Sequence, residues 1–238
     1  MMEKIAQDNY VTLEDLVRLL DSSDSTIRRD LGELEQEGKL HRVHGGAELI
    51  HSLQEELSNQ EKSIKNSQIK HAIAQRAAEF VFDNDVIFLD AGTTTEFLIP
   101  FLQNKKVTVV TNSIHHATRL VDAGTKTIII GGYVKQTTDA SIGNVALEQI
   151  KQLNFDKAFL GMNGIDEDFL TTPDMEEAVI KKAVVANATT SYVLADATKL
   201  GQISFVKVAA LEAVTIITES VVNPLLKKMK EKTKVIDI

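Results

Sequence analysis

The sequence predicts an α/β protein in two parts: a small helical head closed by a β-hairpin, then a larger, mostly parallel sheet with helices on both faces. Three observations carry that reading. The first fifty residues repeat their apolar positions at helical spacing and then run into a Gly-Gly turn. From Ile69 onward, short continuous apolar runs alternate with amphipathic stretches, as in a sheet buried on both faces. Between the two lies a mostly polar stretch, residues 51–68. The expected organisation is a head over 1–50, a linker over 51–68 (or an exposed helix that opens the next domain), and an α/β domain over 69–238.

The head begins with Thr12, which can cap a helix and has Asp15 three residues on. Leu13, Leu16, Val17 and Leu20 follow at helical spacing. Residues 21–24 are turn and cap types, and a second helix is expected from about Ser25. Its buried face is Ile27, Leu31 and Leu34, with Gly38 as the terminating glycine. Residues 39–44, the pair Gly45-Gly46 and residues 47–50 then read as strand, turn and return strand. Helix, tight turn, helix and wing together make a winged helix-turn-helix. That geometry sets the second helix into the major groove of DNA.

The candidate DNA contacts are Ser25, Thr26, Arg28 and Arg29 on the second helix, with Arg42 and His44 on the wing. The hydroxyls suit phosphates, and the guanidiniums can bind guanine edges bidentately. Total charge does not help. The chain carries −8, and residues 1–50 hold six Lys/Arg against eleven Asp/Glu. Any DNA contact must therefore come from a local patch rather than a basic coat.

In the larger part, helices are expected over 69–82, 94–102 (trimmed or kinked at Pro100), 114–121, 145–153, 174–187 and 224–232. Strands are expected over 86–89, 107–110, 127–130, 158–160, 192–195, 206–211, 215–218 and 235–238. The result is a doubly wound α/β domain. Polar loops follow the strands: Asp90, Gly92, Thr93, Thr94 and Thr95; then Asn112; Gly131 and Gly132; Asn163 and Asp166; Asp196 and Lys199. In an open parallel sheet, ligands bind beyond the carboxyl ends of the strands. The Thr-rich loop opens a helix, where backbone N–H groups and hydroxyls converge on an anion. Lys199 offers a positive charge for a phosphate. Asp90, Asn112, Asp166 and Asp196 can accept from sugar hydroxyls. The loop matches neither the P-loop nor the dinucleotide fingerprint, so no nucleotide or other cofactor is expected.

Other chemistries are poorly supplied. Cysteine is absent, which excludes disulfides, thiolate nucleophiles and cysteine metal sites. The histidines lack companion carboxylates, and His115 and His116 would face different ways on a helix, so no metal site is expected. Asp166, Glu176, Glu177, Lys181 and Lys199 include groups that a sugar isomerase would need. However, Glu177 and Lys181, four apart, read as an ordinary solvated pair, so no catalytic residue is expected. No stretch of eighteen apolar residues and no signal peptide is evident, so a cytoplasmic chain off the membrane is expected.

The run Thr26-Ile-Arg-Arg-Asp-Leu31, Leu34-Glu35, Gly38 and Arg42-Val-His-Gly-Gly-Ala47 resembles the head of the DeoR family of bacterial regulators. Asp90-Ala-Gly-Thr-Thr, Thr111-Asn-Ser, Gly131-Gly132, Phe159-Leu-Gly161, Gly164-Ile-Asp166 and Asp196-Ala-Thr-Lys199 resemble that family's sensor, in the same order. The resemblance implies a sensor similar in fold to ribose-5-phosphate isomerase that binds a phosphorylated sugar. It also implies a repressor that acts as a homo-oligomer on double-stranded operator DNA. Residues 170–182 look most like fructose-operon repressors, which makes fructose 1-phosphate the first effector to expect. Family members carry more residues before the first helix, so that helix is expected to be truncated here. The rival readings are an isomerase-like enzyme and a sensor that acts through a protein partner.

Overall fold

The computed structural model describes every residue except 3, 6–9, 44, 50–52, 55 and 57. The chain divides into two compact units, Met1–Ser52 and Leu53–Ile238.

The first unit is a winged helix-turn-helix. Strand β1 (Tyr10–Thr12) leads into helix α1 (Leu13–Leu20), then helix α2 (Asp24–Gln36), then the wing strands β2 (Leu40–Val43) and β3 (Gly46–Leu49). Thr12 caps α1 by accepting from the Asp15 amide, and Ser23 caps α2 by accepting from that of Thr26. The apolar spacing fixes the packing. Ile27 and Leu31 of α2 meet Leu16 of α1, Leu40 of the wing, and Val11, Ile5 and Ala47 in one buried core. Strand β1 was not expected, because three residues carry no periodicity. It pairs with β3 and completes a small antiparallel sheet in the order β1-β3-β2. Gly46 has to be glycine at that junction, since a Cβ there would sit 2.2 Å from the Val11 carbonyl oxygen. Met2, Lys4 and Ile5 are helical, while the rest of the expected truncated first helix lies outside the described residues.

Part of the segment 51–68, expected as a linker or as an exposed helix that opens the next domain, belongs to the second unit from Leu53 on. Helix α3 (Asn59–Ile64) opens with a capping box in which Ser58 and Glu61 satisfy each other's backbone amides. Helix α4 (Ser67–Ala78) follows, then β4 (Val86–Leu89), α5 (Thr93–Glu96), β5 (Thr108–Thr111), α6 (Ile114–Asp122) and β6 (Lys126–Ile129). The helix expected over 94–102 is in fact α5 plus a separate 3-10 turn, Ile99–Leu102, because Pro100 removes a backbone donor. A hairpin, β7 (Tyr133–Lys135) and β8 (Ala140–Ile142), was also unforeseen. After it come α7 (Asn144–Lys151), β9 (Phe155–Gly161), β10 (Gly164–Ile165), β11 (Phe169–Thr172), α8 (Met175–Asn187), β12 (Ala188–Leu194), β13 (Val206–Ala210), β14 (Thr215–Thr218), α9 (Pro224–Lys232) and β15 (Val235–Asp237).

Seven of these strands form one parallel sheet, ordered β15-β14-β12-β9-β4-β5-β6. Helices cover both faces. One core layer holds Phe88, Ala158, Leu160 and Val193, and the other holds Ile87, Leu89, Phe159 and Leu194. These are alternate residues of the same strands, as the pleat requires. The chain runs outward from β4 through β5 and β6, then returns to the other side of β4 at β9. The sheet therefore changes direction between β4 and β9, where doubly wound sheets hold their ligands. A small sheet, β10-β11-β13, sits apart; β13, expected among the parallel strands, pairs antiparallel with β11 instead. Among the described residues, no helix is long and apolar enough to cross a membrane.

Candidate functional site

On the head, Ser25, Thr26, Arg28 and Arg29 all lie in the first two turns of α2. Arg28 and Arg29 point to solvent, 58% and 72% exposed. A shallow cleft between α2 and the wing is lined by Arg28, Glu35, Arg42 and Gly45, so the structure brings Arg28 and Arg42 together. An acid braces the Arg28 side chain, and another the Arg42 backbone. Arg28 Nε donates to Asp24 Oδ1 at 2.5 Å, and Glu35 Oε1 accepts from the Arg42 amide at 2.9 Å. Arg29 turns towards Asp30 and Glu33 and does not line the cleft. His44 lies outside the described residues.

In the larger unit the switch point is the best-organised polar region. The Asp90 carboxylate, just past β4, accepts from the Gly161 amide at the end of β9 at 3.0 Å and from the Lys181 ammonium of α8. Lys181 Nζ also donates to the Gly161 carbonyl at 3.1 Å. Asn112, past β5, accepts from the Ala91 amide at 3.0 Å and so fixes the start of the Thr-rich loop. Thr95 is fully buried, and its hydroxyl lies 2.7 Å from the carbonyl oxygens of both Asp90 and Gly92. Asp90, Asn112 and Thr95 thus build the loop, while Thr93 and Thr94, each only 8% exposed, start the helix beside it. Gly92 also lies against Gly161: a Cβ there would come 3.2 Å from Thr95 Oγ1 and 3.7 Å from the Gly161 Cα.

Thr93 faces a buried lysine. Lys70, in the first turn of α4, donates to Thr93 Oγ1 at 3.1 Å and to the Lys62 carbonyl. Only 3% of its surface is exposed. Burial pushes the Lys70 pKa down to about 8, against the pull of Asp196 and with the repulsion of Lys199 and Lys62 adding to the fall. Burial also lowers the Lys199 pKa, Asp196 again opposing and Lys62 and Lys65 reinforcing. Lys70, Lys199 and Asp196 therefore share one polar region beside the Thr93 loop. It carries a surplus of positive charge, which a dianionic ligand relieves. Since α5 is only four residues long, this attraction comes from the lysines, hydroxyls and amides rather than from a helix dipole.

The remaining expected residues are held within their own turns. Asp196 Oδ1 caps the next turn by accepting from the Thr198 amide at 3.1 Å. Asp166 Oδ1 accepts from the Asp168 and Phe169 amides at 2.7 and 2.6 Å. The Asp166 loop does adjoin the Lys199 loop, since the Gly201 amide donates to the Ile165 carbonyl at 2.8 Å. Asn163 accepts from Thr172 Oγ1 at 3.1 Å. Gly131 and Gly132 are exposed, and Gly131 is bonded to the Gln149 side chain rather than to the Asp90 cluster.

With this geometry in place, similarity to known proteins is decisive. The DeoR C terminal sensor domain matches residues 65–220, and the DeoR-like helix-turn-helix domain matches residues 1–53. The chain belongs to the DeoR family. It is similar to the HTH-type transcriptional regulator FruR of Bacillus subtilis (strain 168), at 41% identity over 99% of this chain and 94% of that one. It is also similar to the lactose phosphotransferase system repressor of Streptococcus mutans serotype c, at 33% identity over 95% of this chain and 92% of that one. Among solved structures, ribose 5-phosphate isomerase A of Methanocaldococcus jannaschii aligns with 57% of this chain and 55% of its own, with 22% identity and a TM-score of 0.43. This DeoR-family chain is a DNA-binding transcriptional repressor by type, and the full-length relatives named here are regulators rather than enzymes.

Within this DeoR-family sensor, one sequence expectation is corrected. Glu177 and Lys181 are not a solvated pair. Both are buried, and each is partnered elsewhere: Lys181 with Asp90, and Glu177 with Lys135 and Thr138. Lys70, Lys181 and Glu177 were missed for one reason, namely that charged residues were read as solvent-facing. The signal was in the spacing. Lys70 stands three, four and seven residues before Ile73, Ala74 and Ala77, and Glu177 and Lys181 share a stripe with Val184. Both sets are buried helix faces. Among the described residues, no group of three or more His, Asp or Glu could hold a metal ion.

Proposed function

We propose that this DeoR-type repressor controls a sugar-utilisation operon, fructose first among the candidates, and that a phosphorylated sugar releases it from its operator. Two heads of a homo-oligomer grip symmetric half-sites, because one short head offers few contacts. Ser25, Thr26, Arg28, Arg29 and Arg42 meet the DNA, in the cytoplasm. In the sensor, Thr93, Thr94, Lys70 and Lys199 take the phosphate, while Asp196, Asn163 and Asp166 accept from sugar hydroxyls. Asp90, Gly92, Thr95 and Asn112 hold the loop in shape.

The observation that carries this reading is the pairing of buried Lys70 with Thr93 beside a second desolvated lysine at the crossover of a parallel sheet. Two partly desolvated ammonium groups beside a Thr-rich loop suit a dianion far better than a neutral sugar. Fructose 1-phosphate is the first effector to test, on the resemblance to fructose-operon repressors. The experiment is a thermal-shift screen of the full chain against phosphorylated and free sugars. A ligand at a hundred times its Kd stabilises by about 2.7 kcal/mol, which is roughly 5–10 °C for a chain of this size. A shift with a phosphorylated sugar and none with its free counterpart supports the proposal. The same shift with both, or with neither, defeats it.

A further inference from the structure

We propose that Leu53, Glu56 and residues 58–66, in the stretch that joins the sensor to the head, form a latch whose grip on the sensor is set by occupancy of the Thr93 loop. The inference rests on the effector reading above and goes on to its regulation.

The latch is fastened by polar contacts. The Leu53 carbonyl accepts from the Phe205 amide at 2.9 Å. Glu56 is half-buried between two lysines, 3.2 Å from Lys62 Nζ and in direct contact with Lys135 Nζ. The Asn59 amide donates to the Thr137 carbonyl at 3.0 Å, and its Nδ2 donates to the Thr138 carbonyl at 2.7 Å. The receiving surface is itself braced, since Lys135 pairs with Asp174 at 2.9 Å and Glu177 at 3.1 Å. Burial works against the Lys135 charge, but Glu177, Glu56 and Asp174 hold its pKa above the ordinary lysine range. The last fastening is the Lys62 carbonyl, which accepts from Lys70 Nζ.

That last contact couples the latch to the site. The ammonium that holds the Lys62 carbonyl is the one that donates to Thr93. A phosphate dianion at the loop attracts it more strongly than a neutral carbonyl does, because both partners of the bond then carry full charge. Lys70 then turns to the phosphate, and the Lys62 carbonyl loses its buried donor. The second link is Lys181 and Glu177, one turn apart on α8. The former is bonded to Asp90 below the loop and the latter to Lys135 beneath the latch. An effector that draws Lys70 away therefore weakens the latch at the Lys62 carbonyl, while α8 braces its receiving surface, and the tether that carries the head is released. Because coupling is reciprocal, a latch weakened by mutation favours the effector-bound state.

The test is Glu56→Gln in the full-length chain, with Asn59→Ala as a milder second variant. Neither residue lines the effector crevice. Three quantities are read: operator affinity without any sugar, affinity for fructose 1-phosphate by calorimetry, and the rate of tryptic cleavage after Lys62 and Lys65. Each variant is expected to weaken operator binding and to tighten fructose 1-phosphate binding by a similar factor, about five- to tenfold for Glu56→Gln. In wild type, fructose 1-phosphate should speed cleavage at both lysines. Destabilisation alone cannot produce opposite changes in the two affinities. Variants that bind both ligands like wild type, or lose affinity for both, would overturn the latch. If wild type bound no sugar phosphate while Glu56→Gln still lost operator affinity, the effector reading would fall and the latch would stand as a tether.

Discussion

The Lys181 ammonium lies against the Asp90 carboxylate at the point where the parallel sheet changes direction, and both side chains are buried. The pair ties α8 to the loop after β4, with the Gly161 backbone between them. Replacing one partner leaves a buried charge alone, which typically costs about 3–5 kcal/mol. Asp90→Ala should therefore lower unfolding stability by that amount in urea titrations. Asp90→Ala combined with Lys181→Met should cost less than Asp90→Ala alone, because no charge is then stranded. Additive losses in the double variant would mean that the pair is not coupled.

Arg28 is exposed, held by Asp24 one turn back, and shares the α2–wing cleft with Arg42. Arg28→Ala should weaken operator binding by about 1–3 kcal/mol and relax the preference at one base position. Arg29→Ala, outside the cleft, should weaken binding evenly across sequences and reduce its salt dependence. Unchanged affinity of Arg28→Ala in a gel-shift assay would remove that residue from base reading.

Buried His116 gives an acid-sensitive step. Burial pushes its pKa down to about 4, although Glu96 and Asp90 pull the other way, and its Nδ1 has no partner within the described residues. The folded state thus binds its proton less readily than the unfolded state does. Its contribution is complete above about pH 6.5 and is lost as pH falls towards 4, by up to about 3 kcal/mol. Melting temperature against pH should show that loss, and His116→Gln should flatten it. An unaltered acid limb in the variant would place the titration elsewhere.

Lys70 predicts the pH profile of effector binding. A phosphate monoester gains its second charge near pH 6, and Lys70 loses its own above about 8. Lys199, Lys62, Asp196 and Glu96 tune that value without removing the sign. Affinity for fructose 1-phosphate should rise through pH 6, hold, and fall past 8. In Lys70→Met the alkaline fall should weaken sharply. Calorimetry that shows the same alkaline fall in both proteins would assign it to another group.

The winged head and the alternation of strands and helices were legible because they rest on periodicity. Ile27, Leu31 and Leu34 repeat at helical spacing, and Val86–Leu89 is too short and too apolar for anything but a buried strand. The meeting of the loops after β4, β5 and β9 was legible, since the carboxyl ends of parallel strands must share one edge, whereas Gly131 is bonded to Gln149 away from them. What stayed hidden depends on distant partners. Strand β1 exists only because β3 lies beside it, and β10 and β11 only because β13 does. Lys70, Glu177 and Lys181 have the composition of surface residues. They are buried because Thr93, Lys135 and Asp90, far away in sequence, meet their charge.

One chain is expected to hold DNA with its head and to release it when a phosphorylated sugar fills the Thr93 loop. The most direct measurement is fluorescence anisotropy of full-length protein on a duplex selected from a random pool, titrated with fructose 1-phosphate. Wild type should dissociate saturably. Thr93→Val and Lys199→Ala should bind the same duplex equally well but need far more sugar phosphate to let go. A wild-type complex that survives saturating amounts of every phosphorylated sugar, or a Thr93→Val complex that dissociates just as readily, would contradict it.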